Sequence, residues 1–172
     1  MADYLNRSIN LIRKTPAIVI AVVEGLAVGA GLSLSLACDL TVAETKAMMN
    51  MGYRRIGLTP DGGGSIFLPR LVGMKRFNEF YFLSRNINME EAKEVGIVNF
   101  VYDEGEIDRK LAELVSNLKA LPMETTGKAK ELINRCLWFG METHIDKERL
   151  YVSQFGGKPE FQERLRQLFK KA

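Results

Sequence analysis

A chain of 172 residues, 47% hydrophobic and 26% charged, has the size and composition of one folded domain, or one domain with an appendage. It can bury a core without disulfide or metal staples. Its 24 Lys and Arg against 21 Asp and Glu leave a net charge of +3. That charge is too mild, and outside the C-terminal RLRQLFKK too scattered, to point to nucleic acid.

MADYLNRSINLIRKTP carries charges throughout and has no apolar signal core. Within it Leu5, Ile9 and Ile12 share one face, which predicts a helix over Tyr4 to Lys14 that Pro16 ends. AIVIAVV, residues 17–23, is continuous and β-branched, as expected of a strand buried on both faces. It is the longest apolar run and far too short to span a bilayer. Gly25, Gly29 and Gly31 follow, then a helix from Gly31 to Ala37 and a short strand in DLTVAET.

MMNMGYRRIGLTPDGGG reads as loop with a strong terminal turn signal. SIFLPRLVG and KRFNEFYFLS read as helical, with Pro69 near a start or a kink. Asn88 and Glu91 form a capping box, Gly96 a helix stop, and IVNFVY a strand. Beyond Asp103 the periodicity is helical. Ile107, Leu111, Leu114, Val115 and Leu118 share one face, and after Pro159 so do Phe161, Leu165, Leu168 and Phe169.

The two cysteines, Cys38 and Cys136, form no C-x-x-C pair and read as reduced thiols of a cytoplasmic protein. The single histidine, His144, excludes a multi-histidine metal site. It lies in METHIDKERL, an exposed helix start, where a surface or capping role is expected rather than catalysis.

A strand, a glycine turn and a helix make an anion-binding geometry. The dinucleotide fingerprint G-x-G-x-x-G is absent, as is the phosphate loop G-x-x-x-x-G-K-S/T. Two readings of the glycines remain: close helix–strand packing, or a backbone that approaches a ligand.

The ordered set PAIVIAVVEGLAVGAGLSLSLACDL, IGLTPDGGGSIFLPRLVG and EEAKEVGIVNFVY resembles the crotonase superfamily, the enoyl-CoA hydratase/isomerase enzymes, from about Lys14 to the C-terminus. The resemblance implies an α/β fold, a crotonase-like spiral of ββα units over 1–103, with a helical oligomerisation region over 104–172. It implies an acyl-CoA substrate and no separate cofactor, since coenzyme A is part of the substrate. It also implies a homotrimer or dimer of trimers. The family's domain starts upstream of RKTPAIVIAVVEG, so the N-terminal part, with a second oxyanion amide, is expected to be missing.

The resemblance also assigns residues. An amide in the glycine turn stabilises the thioester oxygen of an enolate, and the matching residue is Ala30. Gly29, Gly31 and Gly63 are the backbone positions expected against the substrate, and Lys171 falls where a C-terminal helix end can reach CoA phosphates. The family's hydratases carry two glutamates. Ser33 and Tyr53 stand at those positions, and neither is an effective base at neutral pH. Two-carboxylate hydration is therefore not expected.

Asp61 in TPDGGG remains, at a position where some isomerases of the family carry an acid that shuttles a proton between carbons of the enolate. A turn role for Asp61, bonding its own backbone, stands beside that one. Asp39 is expected to tie down a loop. Arg54 and Arg55 are expected to be solvated or paired, or to meet a phosphate. Met48, Met49 and Met51 are expected either in the core or in an acyl pocket. The function implied is double-bond isomerisation; the alternative is an impaired CoA-binding or oligomer-forming remnant.

Overall fold

The computed structural model describes residues 2–170. Helix α1, Ala2–Lys14, buries Ile9 and ends ahead of Pro16, whose ring and missing N–H cannot continue the ladder. Strand β1, Ile20–Val23, leads into β2, Leu26–Val28, and then α2, Ala30–Ala37. The pattern repeats with β3, Leu40–Glu44, and β4, Met48–Asn50. A 3-10 turn, Tyr53–Ile56, and α3, Gly64–Leu83, complete that unit. Next come β5, Ile87–Asn88, α4, Met89–Glu94, and β6, Phe100–Tyr102.

Two three-stranded sheets result. One runs β1-β3-β6, all parallel, with Ile20 opposite Leu40 and Val42 opposite Phe100. The other runs β2-β4-β5, with Leu26 opposite Met48 in parallel and Met49 opposite Ile87 antiparallel. Through β4 the chain alternates between the sheets; β5 then stays in the second sheet beside β4, and β6 returns to the first. The core between them holds Leu32, Met49, Met51, Phe67, Phe80 and Ile87, all fully buried.

Four helices follow: α5, Ile107–Lys119; α6, Met123–Leu137; α7, Met141–Gly156; and α8, Pro159–Lys170. Helix α7 packs on α1 and α3, α6 on α1, and α8 on the 3-10 turn. Trp138, after α6, meets Phe67 edge-to-face at 4.8 Å. No helix among the described residues is long and apolar enough to cross a membrane.

Three expectations are corrected. The strand at 17–23 is shorter and only partly buried: among the described residues β1 pairs on one side alone, with β3. The supposed loop at 48–64 contains β4 and the 3-10 turn. The break in α3 falls at Gly73 (φ 77°, ψ 162°), not at Pro69.

Asp39 does tie the fold together. Its carboxylate accepts from Val19 N–H at 2.8 Å and Lys130 Nζ at 2.7 Å, and from Arg13 Nη1 at 3.1 Å. Arg13 also donates to Ala37 O and to Asn134, which joins α1, α2 and α6. The Arg13 and Lys130 side chains are 7% and 6% exposed. Asp39→Ala leaves both buried cations without their counter-charge and costs about 3–5 kcal/mol of stability. Urea unfolding checks this; an unchanged midpoint contradicts it.

Candidate active site

Strand β2 delivers the chain to Gly29, at φ 56° and ψ −117°, a backbone region that disfavours any side chain. Gly29 N–H donates to Asn50 O at 3.0 Å, which pins the turn to β4. The helix ladder of α2 starts with Ser33 N–H on Gly29 O, at 3.0 Å. The amides of Ala30, Gly31 and Leu32 therefore have no intrahelical acceptor. Gly29 has no side chain to cap them. The N-terminus of α2 thus offers unspent donors and the positive end of a helix dipole.

Gly29 and Ala30 line a cavity of about 490 Å³ together with Tyr53, Asp61, Asn50 and Asn86. Leu26, Val28, Met48, Ile56, Leu58 and Leu168 make the rest of the wall mostly apolar, and Gly52 and the charged Arg55 also line it. A larger groove of about 720 Å³ lies between α1, α6 and α7 and contains none of the expected site residues. Of the charges along it, Lys14 pairs with Glu142 and Lys128 with Glu131.

Asp61 is 8% exposed. Its carboxylate does not cap its own turn. Oδ1 accepts from the Tyr53 hydroxyl at 2.6 Å. The turn is closed instead by the main chain, Gly64 N–H on Asp61 O at 3.0 Å. With its proton given to Asp61, the Tyr53 oxygen accepts from Ser33 Oγ at 3.0 Å. The two positions where glutamates were absent thus form a chain of hydrogen bonds ending on the one carboxylate.

Burial pushes the Asp61 carboxyl above the ordinary Asp range, and the Tyr53 hydrogen bond pulls it partly back. Burial, then the Asp61 charge, pushes Tyr53 well above its usual value, so it stays a donor. Because the folded value of Asp61 is raised, its contribution to stability is full below the ordinary carboxylate range. That contribution is lost as pH rises through the folded value.

Tyr53→Phe removes the bond that favours the ionised carboxylate. If Asp61 acts as a base, the acid limb of its pH–rate profile moves to higher pH, and turnover at neutral pH falls roughly 10-fold. A limb that stays in place contradicts the role given to Tyr53.

The other expected residues are distributed as follows. Gly31 lies off the cavity, beside a groove along β1. Gly63 N–H is donated to Glu148 Oε2 at 2.7 Å, and a Cβ there would collide with Phe67 at 2.2 Å. Lys171 lies outside the described residues. Met48 lines the cavity, whereas Met49 and Met51 sit in the core. Arg54 and Arg55 donate to the carbonyls of Phe82 and Ser84 at the C-terminal end of α3. His144 bonds Ser65 Oγ at 2.8 Å.

Sequence reasoning missed Tyr53 as the donor to Asp61, and Glu148 altogether. Glu148 leaves one trace: Met141, Ile145 and Glu148 fall at i, i+4 and i+7, so an acid shares an apolar face.

Residues 3–171 match the family model described as enoyl-CoA hydratase/isomerase. The chain is 33% identical over 164 residues to 4-chlorobenzoyl coenzyme A dehalogenase-1 of Arthrobacter sp, covering 95% of this chain and 59% of the relative. It is 31% identical over 160 residues to 1,2-epoxyphenylacetyl-CoA isomerase of Escherichia coli, covering 93% and 61%. The crystal structure of an enoyl-CoA hydratase from Mycobacterium avium subsp. paratuberculosis superposes with a TM-score of 0.92 at 30% identity, covering 96% of this chain and 69% of that one. The chain thus spans about three fifths of the length of these curated relatives.

Proposed function

Since the chain belongs to the enoyl-CoA hydratase/isomerase family, we propose that it moves the double bond of an enoyl-CoA thioester through an enolate, with Asp61 as the single proton carrier. One observation carries the reading. The Asp61 carboxylate is buried, spends no bond on its own turn and lines the same cavity as the uncapped start of α2.

The Ala30 amide and one further donor hold the thioester oxygen. As the C2–H bond breaks, its electron pair passes toward that oxygen and Asp61 takes the proton. The enolate collapses with a double bond between C2 and C3, and Asp61 returns the proton to C4. No water is activated, and no second carboxylate is needed.

The relatives named for 4-chlorobenzoyl coenzyme A and 1,2-epoxyphenylacetyl-CoA support a coenzyme A thioester as ligand. The chemistry calls for no cofactor beyond the substrate's own coenzyme A. A cytoplasmic homotrimer or dimer of trimers goes with this reading. It is supported by apolar side chains left uncovered on and beside α6, with Leu132 66% and Phe139 88% exposed. Light scattering that shows a monomer at micromolar concentration contradicts the assembly.

The test is conversion of 3-enoyl-CoA to 2-enoyl-CoA by the full chain, with 3-hydroxyacyl-CoA followed alongside. Isomerisation should exceed hydration by roughly 100-fold, the scale of a missing acid–base partner. The neutral side chains at Ser33 and Tyr53, which leave Asp61 without a second carboxylate, favour a second reading, a protein that binds the thioester without turnover. Binding without either product supports that one.

A further inference from the structure

Helix α3 has an unusual start. Its N-cap is Gly63, at φ 84°, and glycine supplies no capping side chain. The first amides of a helix need acceptors. Here they come from the far end of the chain. Glu148, on the buried face of α7, accepts from Gly63 N–H at 2.7 Å and from Ser65 N–H at 2.9 Å. It also accepts from Ser65 Oγ at 2.5 Å. Glu148 is 5% exposed. Burial raises its carboxyl, and the Ser65 hydroxyl and the two amides lower it again. A buried carboxylate on a helix N-terminus is a strong, charge-assisted cap.

Ser65, His144 and Glu148 do not form a hydrolytic triad. The carboxylate bonds the serine hydroxyl, and His144 Nε2 lies 3.5 Å from that same carboxylate oxygen. A triad needs the acid on the other imidazole nitrogen. The nearby amides, already donated to Glu148, leave no oxyanion hole at Ser65.

The clamp acts on the turn that carries Asp61. Gly62 and Gly63 both sit at positive φ, 58° and 84°, so this backbone has little stiffness of its own. From one side Tyr53 holds the carboxylate. On the other, Glu148 grips the main chain two and four residues on. We propose that Glu148 is the positioning residue of the Asp61 turn, and that α7 thereby sets the geometry of the proton carrier. The proposal rests on the reading of Asp61 as that carrier.

The experiment compares wild type with Glu148→Gln in the full chain. Glutamine keeps the size but has one acceptor oxygen where two are used. With 3-enoyl-CoA, kcat should fall about 10–100-fold while KM stays within about threefold, the signature of a misplaced group rather than lost binding. Amide exchange at Gly63 and Ser65 should quicken. The Asp61 carboxyl, followed by ¹³C NMR titration, should move down toward the ordinary carboxylate range as the turn opens to water.

Ser65→Ala, which removes the hydroxyl bond and keeps both amide bonds, guards against a variant that does not fold. It should move kcat and the Asp61 titration the same way by less. If both variants fold, and kcat and the Asp61 titration stay at wild-type values, Glu148 is a helix cap only and the proposal falls. If wild type does not turn over, the isomerase reading fails alone. The Asp61 titration in the variants then still decides whether Glu148 positions that carboxylate.

Discussion

Asp61→Asn should lower kcat for 3-enoyl-CoA isomerisation by about 10²–10⁴-fold, the range for loss of a general base. Binding of the acyl-CoA should change little. The reasoning is one of isolation. Asparagine keeps the size of the side chain and can still accept from the Tyr53 hydroxyl, which now lies 2.6 Å from Oδ1. The main-chain bond from Gly64 to Asp61 O closes the turn and does not involve the side chain. What disappears is the capacity to take up and return a proton. Ser33→Ala should do little by comparison, since Ser33 only donates to Tyr53, one bond removed from the carboxylate. Equal activity in wild type and Asp61→Asn would reduce Asp61 to a turn residue.

Ala30→Pro should lower kcat by about 10²–10³-fold, the cost of removing one oxyanion donor. Proline is chosen for physical reasons. Ala30 is the first residue of α2, where a fixed helical φ is tolerated and the N–H is not part of the ladder. Gly29, at φ 56° and ψ −117°, already lies outside the helical region that a following proline forbids. The fold should therefore survive while the donor is lost. Ala30→Gly retains the N–H and should stay near wild type. Both variants need circular dichroism and acyl-CoA binding measured beside turnover. Full activity in Ala30→Pro would remove the amide from the mechanism.

What the sequence makes legible depends on how local the cause is. The start of α4 is written locally: Asn88 Oδ1 accepts from Glu91 N–H at 2.9 Å, three residues on. Even there, the Glu91 carboxylate closes no box and goes to Arg85 instead. Strands β2 and β4, three residues each, are too short to show alternation. They exist because they pair with each other. Among the described residues β1 pairs on one side alone, which no residue of the strand encodes.

The site divides the same way. Gly29, Ala30 and Asp61 belong to recognisable local patterns, and the fold brings them to one cavity. That Ser33 and Tyr53 are not glutamates was plain. That they form a hydrogen-bond chain to Asp61 required the packing of α2 against α3 and the 3-10 turn. Glu148 lies 85 residues from Gly63, and only tertiary structure makes it a cap.

The most direct measurement follows a deuterium placed at C2 of 3-enoyl-CoA during conversion in ordinary water. A single buried carboxylate that takes the C2 proton and returns it to C4 should carry part of the label to C4 of the 2-enoyl product. In Asp61→Asn turnover should fall as above, and the residual product should carry no transferred label at C4. A product formed at wild-type rate in Asp61→Asn, with the same label at C4, would contradict the account.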